Sequence, residues 1–310
     1  MAPRSSIIPS ILVTGSNGQV GFELRRSLAM LGNVAALDRK GCDLCRPDEL
    51  RAIVRRLRPA VIVNAAAYTA VDAAEADVPG AFLVNAEAPA VLAEEAAASG
   101  SLLVHYSTEH VFDGDSPRPY TEFDACSPRS AYGKSKLAGE QAIVASGAAY
   151  LIFRTSWVFG VHGDNFLKTI LRQSMLNHRL RVVADQFGAP TPASLVADVT
   201  AHAVRDFLLE THAISMAPRR GIHHLAAAGT TTWNGYAREI VRVATALGAG
   251  VRTAADNIEE VASSAYPMAA PRPANARLDC TRIEQSLAMR MPSWQDGVRR
   301  VIEQLILDKP

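Results

Sequence analysis

The sequence predicts an α/β fold: a doubly wound parallel sheet in the first part of the chain, then a second, smaller α/β domain. Two observations carry this expectation. Between residues 11 and 154 short apolar runs alternate with helical patterns, and the runs are continuous, without a polar residue at every second position. Strands covered by helices on both faces read in this way. After Trp157 the alternation stops, and Pro190, Pro192, Pro218, Pro267, Pro271, Pro273 and Pro292 divide the rest into shorter pieces.

Taken in order, residues 11–13 form a first buried strand, residues 18–31 a helix and residues 34–37 a second strand. The next helix opens at Pro47, which has no N–H to leave unpaired in a first turn, and Asp48 and Glu49 sit near the positive end of its dipole. Strands at 60–63, 102–106 and 150–154 then alternate with an alanine-rich helix over 79–99 and a helix over 129–146. In the second part, helices are expected at 165–173, 193–209, 234–247 and 294–307, with a brief strand at 223–225. The first domain spans residues 1–180, joined by a returning helix at about 193–210. The second spans 181–310, mainly 181–192 and 216–310.

With 310 residues, 48% of them hydrophobic, the chain has ample material for a core. A net charge of +1 offers no basic surface for nucleic acid or an acidic membrane. No apolar run approaches the ~18 residues of a spanning helix. Residues 1–10 carry one Arg and two Pro and no apolar stretch, and read as a short leader, not a signal peptide. Four scattered cysteines exclude a disulfide framework and point to a reduced, cytoplasmic protein. Cys42 and Cys45 have the C-x-x-C spacing, but there is no second pair and Pro47 places the next helix start beyond Cys45. Neither a redox nor a zinc role is expected. Of the eight histidines only His223 and His224 are adjacent, on a strand that would point them to opposite faces.

Gly15, Gly18 and Gly21 fall where the first strand gives way to the first helix. Gly15 permits the tight turn, Gly18 lets backbone N–H groups approach a pyrophosphate, and Gly21 allows close helix–strand packing. The helix N-terminus then faces the phosphates. The first domain is thus expected to be Rossmann-type and to bind a dinucleotide. Asp38 ends the second strand, close to the ~20 positions expected for a ribose-binding carboxylate. Asp38 would favour NADH, whereas Arg39 beside it would pair with the 2′-phosphate of NADPH. The choice between NADPH and NADH stays open.

Tyr132 and Lys136 stand at i and i+4 on one helical face. A free tyrosine titrates near ~10, and a neighbouring ammonium favours the phenolate. Tyr132 would protonate a carbonyl oxygen while hydride reaches its carbon, with Thr108, at a strand end, hydrogen-bonded to the same oxygen. A helix or turn cap is the lesser reading for Thr108. Trp157 is either a stacking platform for a base or sugar or a core residue. Asn165 and Arg272 are candidates for a diphosphate, with a surface ion pair as the other reading for the arginine.

The Gly-x-x-Gly-x-x-Gly turn, Ser107-Thr108 and the YxxxK pair resemble the extended short-chain dehydrogenase/reductase family. Within it, the sequence is similar to the dTDP-4-dehydrorhamnose reductases. The stretches that carry this run from Asn64 to Asp72, Pro119 to Glu122, Tyr132 to Glu140, Arg154 to Gly160, Asp185 to Thr191 and Arg272 to Asn275. The resemblance implies that Gly18, Gln19, Val20, Asp38, Asp43, Leu44, Ala67, Tyr68 and Thr69 line a cofactor site, with Tyr132 and Lys136 at its nicotinamide end. Thr108, Glu109 and Trp157 would meet a nucleotide-sugar, whose C4 keto group is reduced. The chain departs from the family pattern at Glu109-His110, where Asp-Tyr is usual. Glu109 keeps the charge with a longer reach, and His110 replaces a phenol. The family is associated with magnesium, but no clustered ligand spacing is present and no metal site is expected. The partner is a small nucleotide-sugar, and homodimer formation is open. The rival readings are a reductase or epimerase acting on another nucleotide-sugar, and a non-catalytic NADP-binding subunit resembling the regulatory subunit of methionine adenosyltransferase. The full Thr108, Tyr132 and Lys136 set favours an enzyme, because binding alone needs no proton donor.

Overall fold

The computed structural model describes residues 8–209 and 220–307, so most of the expected leader, and Pro218, lie outside the described residues. The chain forms β1 (Ser10–Thr14), α1 (Gln19–Ser27), β2 (Asn33–Leu37), α2 (Pro47–Leu57) and β3 (Val61–Asn64). Two short helices, α3 (Val71–Ala76) and α4 (Val78–Phe82), lead through a π-turn at Leu83–Glu87 into α5 (Ala88–Ser99). Next come β4 (Leu102–Thr108), α6 (Ala131–Ala145) and β5 (Ala149–Thr155). Beyond them lie β6 (Val158–Phe159), α7 (Phe166–Leu176), β7 (Leu180–Val183), β8 (Phe187–Gly188), β9 (Thr191–Pro192) and α8 (Ala193–Leu208). The last elements are β10 (Gly221–His224), β11 (Thr231–Thr232), α9 (Trp233–Ala246), β12 (Ile258–Val261), α10 (Thr281–Leu287) and α11 (Trp294–Leu307).

Six strands form one parallel sheet in the order β10-β5-β4-β3-β1-β2. The continuous apolar runs split by alternation onto its two faces. Ile11, Val13, Val61, Val63, Val104 and Phe153 pack on one side with Leu24 of α1 and Val196 of α8. Leu12, Ile62, Leu103 and Ile152 pack on the other with Leu50 of α2, Leu92 of α5 and Ile143 of α6. Each such side chain contributes roughly 1.5–3 kcal/mol by leaving water. Because β1 lies between β2 and β3, the chain reverses direction across the sheet at β1. In such sheets the crevice beyond the carboxyl ends of the strands at that reversal receives ligands. Here it opens above Thr14 and Asn64, which are register partners.

A second core forms where α7, α9 and α11 meet, around Leu167, Ile170, Tyr236, Ile240, Trp294 and Val298. The parallel pair β7–β12 lies beside it. This moves the domain boundary expected near residue 180. Helix α7 packs in the second core although it precedes that point, while β10 joins the sheet and Ile283 of α10 packs against it although they follow it.

Local chemistry explains the other departures. The expected helix over 79–99 is continuous but changes pitch before Pro89, which has no N–H to give to the carbonyl of Asn85. The helix expected over 18–31 ends at Ser27, and the following residues close as turns. Among the described residues no helix is long and apolar enough to cross a membrane.

Candidate active site

The β1–α1 turn closes tightly. Gly15 has φ +68°, and a Cβ there would lie 2.6 Å from the backbone N of Ala66. A Cβ on Gly21 would lie 2.0 Å from the Gly15 carbonyl oxygen, so Gly21 packs against the turn from behind. Gly18 is the N-cap of α1, whose first N–H groups have no intrahelical partner. Gly15, Gly18, Gln19 and Val20 line a cavity of about 1970 Å³. That is roughly twice the ~300–1,000 Å³ of a site for one drug-sized ligand, and it leaves room for two nucleotide-sized molecules.

Asp38, Arg39, Asp43, Leu44, Ala67, Tyr68 and Thr69 line the same cavity. The Asp38 carboxylate is partly committed: Oδ1 accepts from the Lys40 and Gly41 N–H groups at 3.0 and 3.1 Å, and Oδ2 from Asn17 at 3.0 Å. Arg39 projects outward, with its Nε 3.8 Å from Asp43. Cys42 is buried, and burial pushes its thiol up to about 11, which leaves it an inert packing group. The four cysteines are free.

Thr108, Glu109, Tyr132 and Lys136 meet at another part of this cavity, beyond the end of β4. Ser130 caps α6 through Gly133 N, which sets where Tyr132 and Lys136 project. Tyr132 is buried, and burial, with the Glu109 charge adding to it, holds its phenol well above the ordinary value while Thr108 opposes. Lys136 does not enter that balance. Its Nζ lies 3.0 Å from His105 Nε2, and burial brings its ammonium down to about 8 against the opposing pull of Glu140. The expected lowering of Tyr132 by the lysine is therefore replaced by a phenol that stays protonated, which suits a proton donor.

Thr108 both faces the cavity and caps the turn that follows, accepting from His110 N at 3.1 Å and donating to Glu109 Oε2 at 2.8 Å. Burial raises the Glu109 carboxyl to about 7. Burial, and next to it Arg272, lowers His110 to about 4, and its ring meets the Tyr132 ring edge-on with centroids 5.5 Å apart. Trp157 lines the cavity, stacks on Trp233 at 3.7 Å, and holds φ +46°, a strained value for a bulky residue. Arg272 also lines it, and its Nη2 pairs with Asp72 at 2.5 Å.

Asn165 needs correction. Its Oδ1 caps α7 through Lys168 N at 3.1 Å, and its Nδ2 donates to Gln19 Oε1 and Gly160 O at 2.9 and 2.8 Å. With the amide so committed, Asn165 ties α7 to the glycine turn and has no donor left for a diphosphate. Among the described residues no three His, Cys, Asp or Glu side chains group as a metal site.

Three residues at the site escape sequence reasoning. Asn85, buried in the π-turn, accepts from Tyr68 N at 2.9 Å and donates to Tyr68 O and to Ser135 Oγ, each at 3.0 Å, so it clamps the 67–69 loop to α6. Asn64 and His105 lie behind Lys136. The available signal was a polar residue inside an otherwise apolar strand or helix run.

A family model described as the RmlD substrate binding domain matches residues 9–307. A dTDP-4-dehydrorhamnose reductase of Burkholderia thailandensis is 46% identical over 296 residues, covering 96% of this chain and 99% of the relative. One from Escherichia coli strain K12 is 44% identical over 300 residues, covering 96% and 98%. A solved dTDP-4-dehydrorhamnose reductase of Bacillus anthracis in complex with NADP matches with a TM-score of 0.86 at 30% identity, covering 96% of this chain and all of that one. With nearly its whole length matched, the chain belongs to the dTDP-4-dehydrorhamnose reductase family and is an NAD(P)-dependent oxidoreductase.

Proposed function

We propose that the protein reduces the C4 keto group of dTDP-4-dehydro-L-rhamnose to give dTDP-L-rhamnose, using NADPH or NADH, with Tyr132 as the proton donor. The observation that carries this reading is the convergence of Thr108, Tyr132 and Lys136 on the cavity that the Gly15–Gly21 turn also lines. The cavity suits a dinucleotide. The open start of α1 faces it, and the buried hydroxyls of Ser107 and Thr155 line it with no hydrogen-bond partner among the described residues. Gly15, Gly18, Gln19 and Val20 would hold the pyrophosphate, Asp38 and Arg39 the adenosine ribose, and Ala67, Tyr68 and Thr69 the span towards the nicotinamide.

When bound, the reduced nicotinamide supplies the hydride, and the chain supplies orientation and a proton. Thr108 Oγ1 turns from Glu109 to the substrate carbonyl oxygen. Tyr132 gives its phenolic proton to the same oxygen, and the Lys136 ammonium would hold the nicotinamide ribose beside it. Trp157 offers a face for stacking, and Arg272 exchanges Asp72 for the diphosphate. The relatives named as reductases and the NADP complex of one of them support this reading.

The test is oxidation of NADPH and of NADH with a panel of 4-keto nucleotide-sugars, with the product identified by mass spectrometry. Fastest turnover is expected with dTDP-4-dehydro-L-rhamnose. A strong preference for another sugar would move the substrate assignment, with Glu109 and His110 as the first residues to re-examine. Tight NADPH binding with no turnover on any sugar would point to a regulatory subunit.

A further inference from the structure

Behind the catalytic lysine runs a sealed chain of polar groups. The Thr14 hydroxyl donates to Asn64 Oδ1 at 2.6 Å, Asn64 Nδ2 lies 3.1 Å from His105 Nδ1, and His105 Nε2 lies 3.0 Å from Lys136 Nζ. All four residues are at most 2% exposed. They sit at the ends of β1 and β3, midway along β4 and on α6, so three strands and a helix fix the chain.

Hydrogen accounting gives this chain two complete states. A neutral imidazole has one donor and one acceptor nitrogen. When Asn64 donates to Nδ1, the ring proton is on Nε2, and Nε2–H can donate only to an uncharged amine on Lys136. When Lys136 is an ammonium, Nε2 must accept. The ring proton is then on Nδ1, and Asn64 turns its carbonyl oxygen towards it and its amide N–H towards the Thr14 oxygen. Each charge state of Lys136 thus has one arrangement in which all three contacts of the chain pair a donor with an acceptor, in a place where an unmade bond is costly.

We propose that His105 is a positioning residue for the reduction: it fixes Lys136 Nζ and, through Asn64 and Thr14, reverses its hydrogen bonds as the lysine gains or loses its charge. This rests on the reading of Tyr132 and Lys136 as the catalytic pair. Burial, and then the facing Lys136, hold His105 well below its ordinary value, so the ring stays neutral in both states. The other titratable groups acting here are Glu140, which favours the Lys136 ammonium, and Tyr132, a turn back along α6 and itself facing Glu109.

Two measurements test the proposal. The first needs no turnover. In protein labelled with ¹⁵N-histidine, the His105 tautomer is followed by NMR from neutral to alkaline pH. The expected result is Nδ1–H at neutral pH giving way to Nε2–H as Lys136 loses its proton, and a tautomer fixed across that range overturns the proposal. The second compares the pH dependence of kcat and KM for His105→Phe and His105→Gln. The phenylalanine leaves the ammonium with no acceptor, so kcat should fall about 10–100-fold, the worth of one hydrogen bond to a charged group. Its alkaline limb should move to lower pH, with KM for the sugar little changed. Glutamine restores an acceptor oxygen, and both kcat and limb should return towards the unmutated protein. Equal losses in both variants with an unmoved limb, or no loss in either, overturns the proposal. An unmutated protein that turns over no 4-keto nucleotide-sugar would instead count against the proposed function, while the tautomer measurement still decides the role of His105.

Discussion

In the proposed reaction, Tyr132 and Lys136 divide the proton chemistry by what burial does to each. Burial favours the uncharged form of both, so the phenol keeps its proton throughout the neutral range while the ammonium becomes easier to lose. On this reading the lysine sets the alkaline limit. Its charge is present below about 8 and lost above it, so kcat should fall as pH rises through about 8. A pH–rate profile of kcat checks this, and a rate that climbs steadily through that region would show that the charge on Lys136 is not needed. Lys136→Ala should be at least as damaging as removal of the Tyr132 hydroxyl. Thr108→Ala should cost less, because one neutral hydrogen bond is typically worth ~0.5–1.5 kcal/mol. The YxxxK pair and Thr108 are readable from sequence because their spacing is local. The Asn64–His105–Lys136 line is not, since its members are brought together by strand register from 64, 105 and 136, and each looks like an isolated polar residue in its own run.

At the scale of elements, α6 is the part on which the site depends. It carries Tyr132 and Lys136, receives the Asn85 clamp through Ser135, and is fixed to β5 by a buried ion pair. Arg154 Nη2 lies 2.6 Å from Glu140 Oε2, with both side chains at most 3% exposed, and the Arg154 guanidinium also stacks over Phe112. Removing one partner of a buried pair strands the other charge, typically at a cost of ~3–5 kcal/mol. Glu140→Ala should therefore lower the midpoint of urea unfolding sharply, and an unchanged midpoint would mean that the pair contributes little. The strands and helices of the sheet were legible because each is a local pattern of apolar residues. The π-turn was hidden by the alanine richness of 79–99, although Pro89 was its signal. The two-residue strands β6, β8, β9 and β11 are too short for any periodicity, and β7 and β12 are defined only by their pairing across the chain. The commitment of Asn165 is hidden for a related reason: its partner Gln19 comes from α1, far away in the chain.

For the whole molecule, the sheet supplies one wall of the cavity and the second core supplies the other, so in the proposed reaction each ligand has its own side. Residues Gly15 to Thr69 lie on the sheet side, and Trp157, Phe166, Val182 and Trp233 on the other. On the proposed reading cofactor choice belongs to this scale, since it would depend on how Asp38 and Arg39 are presented at the rim. Both NADH and NADPH are expected to serve. Asp38→Ala should weaken NADH more than NADPH, because it removes a ribose acceptor and also a carboxylate that repels the 2′-phosphate. Fluorescence titration with each cofactor checks this, and equal loss for both would show that Asp38 does not read the ribose.

The most direct measurement is made on Tyr132→Phe, which removes one hydroxyl and leaves the ring that packs against His110. Cofactor affinity is measured by fluorescence and turnover of dTDP-4-dehydro-L-rhamnose by stopped flow, on the same preparation. The expected result is cofactor binding like that of the unmutated protein, with turnover reduced by ~10²–10⁴-fold, the usual contribution of a positioned general acid. Turnover near that of the unmutated protein, with cofactor bound normally, would show that the proton comes from another group and that Tyr132 is not the donor.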